Sequence, residues 1–149
     1  MYHAVESDFE KVKEIFYLHK KWFPHIRTDY MKRMIAKKNL ILENEVVITY
    51  NFYKRKQKIG DVQALKGDCI LHQIVAKTKG TASDVLQNFF KFVNHNPLGR
   101  RVYLSVRSDN EMAKNFYLKN NMKLIGKTSW SKGTLPGDVF VYDPWTYET

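Results

Sequence analysis

Two strand-length apolar runs, "CILHQIVA" (Cys69 to Ala76) and "RVYLSV" (Arg101 to Val106), flank a stretch whose apolar residues recur at helical spacing. That order limits the folds open to the chain more than any other feature. From Ala82 onward, Val85, Leu86, Phe89, Phe90 and Val93 fall on one helix face. A second helical pattern follows the second run, with Ala113, Phe116, Tyr117 and Asn120 along one side, and "KLIGKTSW" then reads as a strand. Strand, loop, helix, strand, helix, strand implies parallel pairing with helical crossovers, because a tight hairpin cannot join parallel neighbours.

The first half adds helices and antiparallel strands. Ser7 and Glu10 have the spacing of a capping box, and the periodicity predicts a helix from about Asp8 to Lys20. Pro24 interrupts it, and Thr28 or Asp29 would cap a second helix carrying Tyr30, Met31, Met34 and Ile35. "NLILE" and "VVITYNFY" read as strands joined at Asn44-Glu45, with "DVQAL" a further partner. "SKGTLPGD" reads as a turn-rich loop before a short last strand, "VFVY". The expected architecture is one α/β domain over residues 1–149, a mixed sheet with helices on both faces.

The 149 residues suffice for one domain, and 44% hydrophobic content with 14% aromatics excludes global disorder. No apolar run approaches the ~20 residues that span a bilayer, and the N-terminus lacks the basic-then-apolar order of a signal peptide. Cys69 is the only cysteine, which rules out an internal disulfide and a Cys-cluster zinc site. A reducing cytoplasm is the simplest location. The oligomeric state is left open between monomer and homodimer.

Charge bears on partners. Twenty-five Lys and Arg against fifteen Asp and Glu give a formal net charge of +10. Such a field attracts nucleic acid, acidic proteins or a phosphorylated cofactor, although a Lys-rich surface also serves solubility alone. "YKRKQK" (Tyr53 to Lys58) concentrates four cations directly after an aromatic residue, and Phe52 and Tyr53 are placed to stack on bases beside phosphate-binding lysines. A solvated hairpin tip has the same composition.

The loop "KTKGTA", between an apolar strand and a helix, has the makings of an anion site. Gly80 allows close backbone approach, the helix N-terminus points its amides outward, and Lys77 and Lys79 add charge. Lys77-Thr78-Lys79-Gly80-Thr81-Ala82 resembles the cofactor loop of the GCN5-related N-acetyltransferase (GNAT) superfamily, Gln/Arg-x-x-Gly-x-Gly/Ala, with Lys at its first position. The family's next helix shows Asn-x-x-Ala-x-x-x-Tyr and then a Gly-Phe step; here stand Asn110, Ala113, Tyr117 and then Asn121-Met122. Asn is the next-best residue to Gly for a left-handed helix stop. Ser108 and Glu111 have capping-box spacing at this helix's start. The resemblance covers Cys69 to Gly126 and reaches the first half only through the order of elements. Asp84, where the family often has a small residue, is a departure.

The resemblance implies a mostly antiparallel sheet with a parallel strand pair around an acetyl-CoA site. It implies that the amides of Lys79, Gly80, Thr81 and Ala82 hold the pyrophosphate and that the backbone of Ile74, Val75 and Ala76 pairs with the pantetheine arm. Lys77 belongs to the same loop, and Asn110 orients the cofactor or the start of its helix. Tyr117 takes the role of proton donor to the departing thiolate, a task a neutral phenol can perform because its ordinary pKa is about 10. An amide near Val75 would stabilise the oxyanion. For the general base the strand offers His72, beside Gln73, as base or water orienter; a hydrogen-bonded core histidine is the plainer reading. Glu43, Glu45 and His25 are weaker candidates. Trp130, Tyr142 and Trp145 lie where relatives build the acceptor pocket, although hairpin packing would use them equally. The five histidines show no ligand spacing, so no metal is expected.

These features point to an acetyl-CoA-dependent N-acetyltransferase working by direct attack of an amine acceptor in a ternary complex. Cys69 stands at the strand's start, away from the expected thioester, so no acyl-enzyme is expected. Two alternatives remain: a GNAT-like enzyme modifying a nucleobase, as in some phage proteins, and a degenerate CoA- or nucleic-acid-binding module without catalysis.

Overall fold

A computed structural model describes residues 1–95 and 99–146. Among these described residues are four α-helices and eight strands, six of them ordered β1-β2-β5-β6-β8-β7 and two forming a separate hairpin, β3-β4. Antiparallel pairings dominate, and β5 (Cys69–Ala76) and β6 (Val102–Arg107) form the parallel pair, with Cys69 opposite Val102 and Ile70 opposite Tyr103. The crossover between them carries α3 (Ala82–Val93), whose Val85, Leu86, Phe89, Phe90 and Val93 are all buried, as the periodicity predicts. By packing, the chain forms two compact units, Met1–Tyr50 with His72–Phe89, and Asn51–Leu71 with Phe90–Thr149.

In the first unit, α1 (Phe9–Tyr17) and α2 (Thr28–Ala36) bury Val12, Ile15, Phe16, Met31, Met34 and Ile35 against Ala4, Leu40, Val47 and Val75. Helix α1 departs from expectation at both ends. A 3₁₀ turn, Glu6–Asp8, precedes it, and Asp8 Oδ2 accepts from Val5 N and from Tyr2 Oη, both at 2.8 Å. Asp8, rather than Ser7, therefore organises the start, and it makes no side-chain bond to the helix it precedes. At the other end the bonds of Leu18 N to Ile15 O and His19 N to Phe16 O tighten the chain into a 3₁₀ turn, so the helix stops short of Lys20. Arg27, not Thr28 or Asp29, is the residue before α2. Strands β1 (Leu40–Glu43) and β2 (Val46–Phe52) form the expected hairpin; Asn44 and Glu45 both have positive φ, 48° and 59°, as a type I′ turn requires.

In the second unit, β7 (Lys123–Trp130) and β8 (Leu135–Tyr142) pair antiparallel, as do β8 and β6. The loop expected over 131–138 is confined to 131–134. Positive φ at Ser131, Lys132 and Gly133 turns the chain early, and Pro136, Gly137 and Asp138 are paired strand residues opposite Ser129, Thr128 and Lys127. "DVQAL" pairs with the residues before it: β3 (Gln57–Ile59) and β4 (Val62–Ala64) form a hairpin turning at Gly60-Asp61. Its turn rests on β7, with Asp61 N donating to Lys127 O (3.0 Å) and Lys127 N to Asp61 Oδ1 (2.8 Å). A Cβ on Gly60 would overlap that Lys127 carbonyl, so close backbone approach requires the glycine.

Helix α4 (Glu111–Lys119) begins with Asn110, whose Oδ1 accepts from Ala113 N (3.2 Å). The Ser108–Glu111 box is not used, because the Ser108 hydroxyl donates to Asp138 Oδ1 instead (3.0 Å). The helix ends as expected: Asn121 has φ 67°, and Met122 N bonds back to Tyr117 O (3.1 Å). Replacing Asn121 by Gly removes the residual Cβ penalty at that φ and should stabilise the protein by up to about 1 kcal/mol, read as a rise in the urea midpoint at constant m-value.

Candidate active site

Strand β5 alternates between two environments. Gln73 turns toward β2 and α2, where its Oε1 accepts from Tyr30 Oη (2.9 Å) and from Thr49 Oγ1, and its backbone N donates to Thr49 Oγ1 (3.1 Å). Thr49 is fully buried and Tyr30 half-buried, with its phenol pKa raised by desolvation. This polar knot was missed by pattern reading; its only signal was a lone threonine inside the apolar "VVITY". His72, the next residue along, is exposed, yet nearby protein lowers its pKa by desolvation. The shift keeps the imidazole neutral at physiological pH.

The end of β5 is anchored firmly. His19 Nε2 donates to the Ala76 carbonyl (2.7 Å), and Lys77 N donates to Glu45 O (2.9 Å). The Lys77 ammonium pairs with Glu14 (3.0 Å) and Glu45 (3.4 Å), and Lys11 joins Glu45. These contacts raise the Lys77 pKa and lower those of both glutamates. Both donor groups of Lys77 are thus engaged by protein. Beyond it Lys79 and Gly80 are exposed, Thr81 Oγ1 donates to Thr78 O (3.1 Å), and α3 begins at Ala82. Gly80 has φ 94° with open space where a Cβ would point, so its backbone presents an unobstructed face. Asp84 lies exposed in the first turn.

In the second unit Tyr117 is buried, its ring tilted on Phe140 (centroids 5.7 Å) and edge-on to Phe116 (5.5 Å). Among the described residues, no group is hydrogen-bonded to its hydroxyl. Desolvation raises the phenol pKa well above its ordinary value. Asn110 is occupied as the helix cap.

The remaining candidates have other partners. Glu43 accepts from Tyr2 N (2.7 Å), and His25 is exposed on the loop between α1 and α2. Tyr142 stacks on Phe90 (4.0 Å, 6°), Trp130 covers Gly137 across its own hairpin, and Trp145 lies against Gly99. Hairpin and local packing thus account for these three rings. Among the described residues, no group of three or more His, Cys, Asp or Glu is placed to hold a metal, and no helix is long and apolar enough to cross a membrane.

A mostly antiparallel mixed sheet, one parallel pair, four helices and a glycine loop between the parallel strand and its crossover helix define the GNAT acetyltransferase fold. Solved structures with this fold align along nearly the whole chain. An acetyltransferase of the GNAT family from Bacillus cereus matches with TM-score 0.69 and 17% identity over 95% of this chain and 94% of its own. The loading GNATL domain of CurA from Lyngbya majuscula matches with TM-score 0.74 and 11% identity, covering 95% and 96%. Arabidopsis thaliana NAA60 in complex with acetyl-CoA gives 0.67 and 14%, covering 95% and 96%. No protein-family model matches the sequence, and no curated protein matches it.

Proposed function

We propose that the protein is an acetyl-CoA-dependent N-acetyltransferase acting on an amine acceptor by direct attack in a ternary complex. The observation that carries this reading is Tyr117: a buried phenol, on the helix that follows the parallel strand pair, whose hydroxyl has no protein partner among the described residues. Its ring is packed, yet its oxygen is not among the buried polar atoms left without a partner, so the hydroxyl reaches the surface, where a bound sulfur can meet it. The neighbours' fold supports the class of reaction, and one of those neighbours is solved with acetyl-CoA.

The loop suits a pyrophosphate. Its Gly80 leaves space for close approach, and the first amides of α3 have no carbonyls of their own helix to meet. In this reading the Lys79, Gly80, Thr81 and Ala82 amides hold the anion, while Lys77, tied to Glu14 and Glu45, anchors the loop. Ile74, Val75 and Ala76 offer strand backbone to the pantetheine arm, and Asn110 fixes the start of the helix bearing Tyr117. When bound, acetyl-CoA supplies the activated acyl group. Tyr117 holds a proton for the sulfur, and His72 takes one from the amine or orients the water that does.

The test is calorimetric titration with acetyl-CoA, followed by thiol-release assays across peptide, polyamine and nucleobase amines. Saturable binding and acceptor-dependent thiol release are expected; no binding at millimolar ligand would overturn the reading. His72 makes a narrower prediction. Its neutral form is the active one, so kcat/KM should fall as pH drops below the ordinary imidazole range near 6.5, with a midpoint shifted lower. His72→Gln should lower kcat/KM about tenfold to a hundredfold and abolish that acid limb. An unchanged limb in the variant would assign it elsewhere.

A further inference from the structure

The basic stretch before the β3-β4 hairpin supplies none of the residues proposed above for acyl transfer. Between Tyr53 and Lys66 stand Lys54, Arg55, Lys56, Lys58 and Lys66, against one acidic residue, Asp61. All five cations are exposed. Among the described residues none of the five is ion-paired, whereas Lys11, Lys77, Arg101, Arg107, Lys114 and Lys127 each have an acidic partner. Asp61 keeps its charge while accepting from Lys127 N, so the stretch carries a net charge of +4 (five cations less one carboxylate).

The structure places Lys58 on a strand, while Lys54, Arg55 and Lys56 lie in the bend that leads into it. Lys58 lies opposite Gln63, both exposed, on one face of the hairpin. Ile59 and Val62, the next pair, turn the other way and pack with Ala64, Tyr103, Val139 and Val141. With its turn bonded to β7 as well, the hairpin is a platform held on two sides. The aromatic residues expected to stack on bases are turned to other uses: the Arg100 guanidinium covers the Phe52 ring at 4.3 Å, and Tyr53 packs into the same apolar cluster.

We propose that the bend at Lys54–Lys56, together with the exposed face of the hairpin that follows, is a docking surface for the phosphodiester backbone of nucleic acid, bound through charge and without reading the bases. Lys54 to Lys58 span at most about 14 Å, a distance over which a duplex presents about eight phosphate charges. That density suits four cations crowded into five residues. Leu65 is the only large apolar side chain exposed on the stretch, so it offers little for insertion into a lipid surface.

Fluorescence anisotropy of labelled 20-nucleotide single strands and 20-base-pair duplexes, as RNA and as DNA, between 50 and 300 mM KCl tests the proposal. For the duplexes, the wild-type protein should bind with a slope of log K against log salt of about −4. Sequences of different base composition should bind within about threefold of one another. The quadruple variant K54A/R55A/K56A/K58A alters exposed side chains only; its slope should flatten by about 3 to 4 and its affinity at 50 mM salt fall at least tenfold. Preference between RNA and DNA identifies the source of the backbone. A variant slope equal to wild type, tenfold discrimination between base compositions, or equal competition by polyglutamate or by anionic vesicles would each overturn the proposal. Acetyl-CoA titration of the same variant should be unchanged, which separates this outcome from that of the transferase reading.

Discussion

Replacing Tyr117 by Phe should lower kcat by about 10²- to 10³-fold, the range expected when a positioned proton donor is lost. The substitution removes one oxygen and leaves the ring on Phe116 and Phe140. Stability should therefore change little, since the hydroxyl has no protein partner to lose. Acetyl-CoA affinity should be unchanged, and kcat and kcat/KM should fall together, because the missing interaction operates only as the thiolate departs. Burial favours the neutral phenol, so the proton remains on Tyr117 throughout the usual assay range and no basic limb below pH 10 belongs to it. Stopped thiol release with unaltered calorimetric affinity would support the assignment. Equal loss of both, or loss of neither, would return Tyr117 to the core.

Periodicity located nearly every element because most of them bury one continuous face. Val85 through Val93 on α3 and Ala113 through Asn120 on α4 satisfy both a 3.6-residue repeat and their packing, so local preference and tertiary structure agree. The two capping boxes failed in different ways: at α1 the Asp8 carboxylate, not Ser7, organises the chain before the helix. Spacing identifies a hydroxyl able to cap, but a buried carboxylate elsewhere can claim it: Ser108 serves Asp138, thirty residues away. The β8 start was misplaced because Pro136 and Gly137 read as turn residues, although positive φ at Ser131 to Gly133 completes the turn before them. At the candidate site, the glycine loop and Tyr117 are sequence-local features and could be read. The engagement of Lys77 by Glu14 and Glu45, the Tyr30–Thr49–Gln73 knot and the inward turn of Tyr53 depend on contacts distant in sequence.

Asp138 should prove the most consequential polar residue for stability. Its side chain is fully buried in β8, with Oδ1 accepting from Lys127 Nζ (2.6 Å) and Ser108 Oγ (3.0 Å). Lys114 Nζ lies 3.0 Å from Oδ2 as an ion pair and also donates to Ser108 O (3.2 Å). One carboxylate thus joins β8 to β7, to the turn before α4 and to α4 itself, the helix that carries Tyr117. Removing one partner of a fully buried pair costs about 3–5 kcal/mol. Here the Lys127 side chain is 67% exposed and can be rehydrated, so Asp138→Asn should cost less, about 1–3 kcal/mol at pH 7. The hydrogen bond from Lys127, opposed by desolvation, holds the folded-state pKa at about 2. A depressed carboxylate pKa contributes stability that is fully present above the unfolded value near 3.9 and lost as pH falls through the folded one. Urea unfolding of wild type and Asp138→Asn should therefore show a constant gap from pH 7 down to about 4, narrowing toward pH 2. A gap that persists at pH 2 would mean that shape and hydrogen bonding, not the charge, account for the loss.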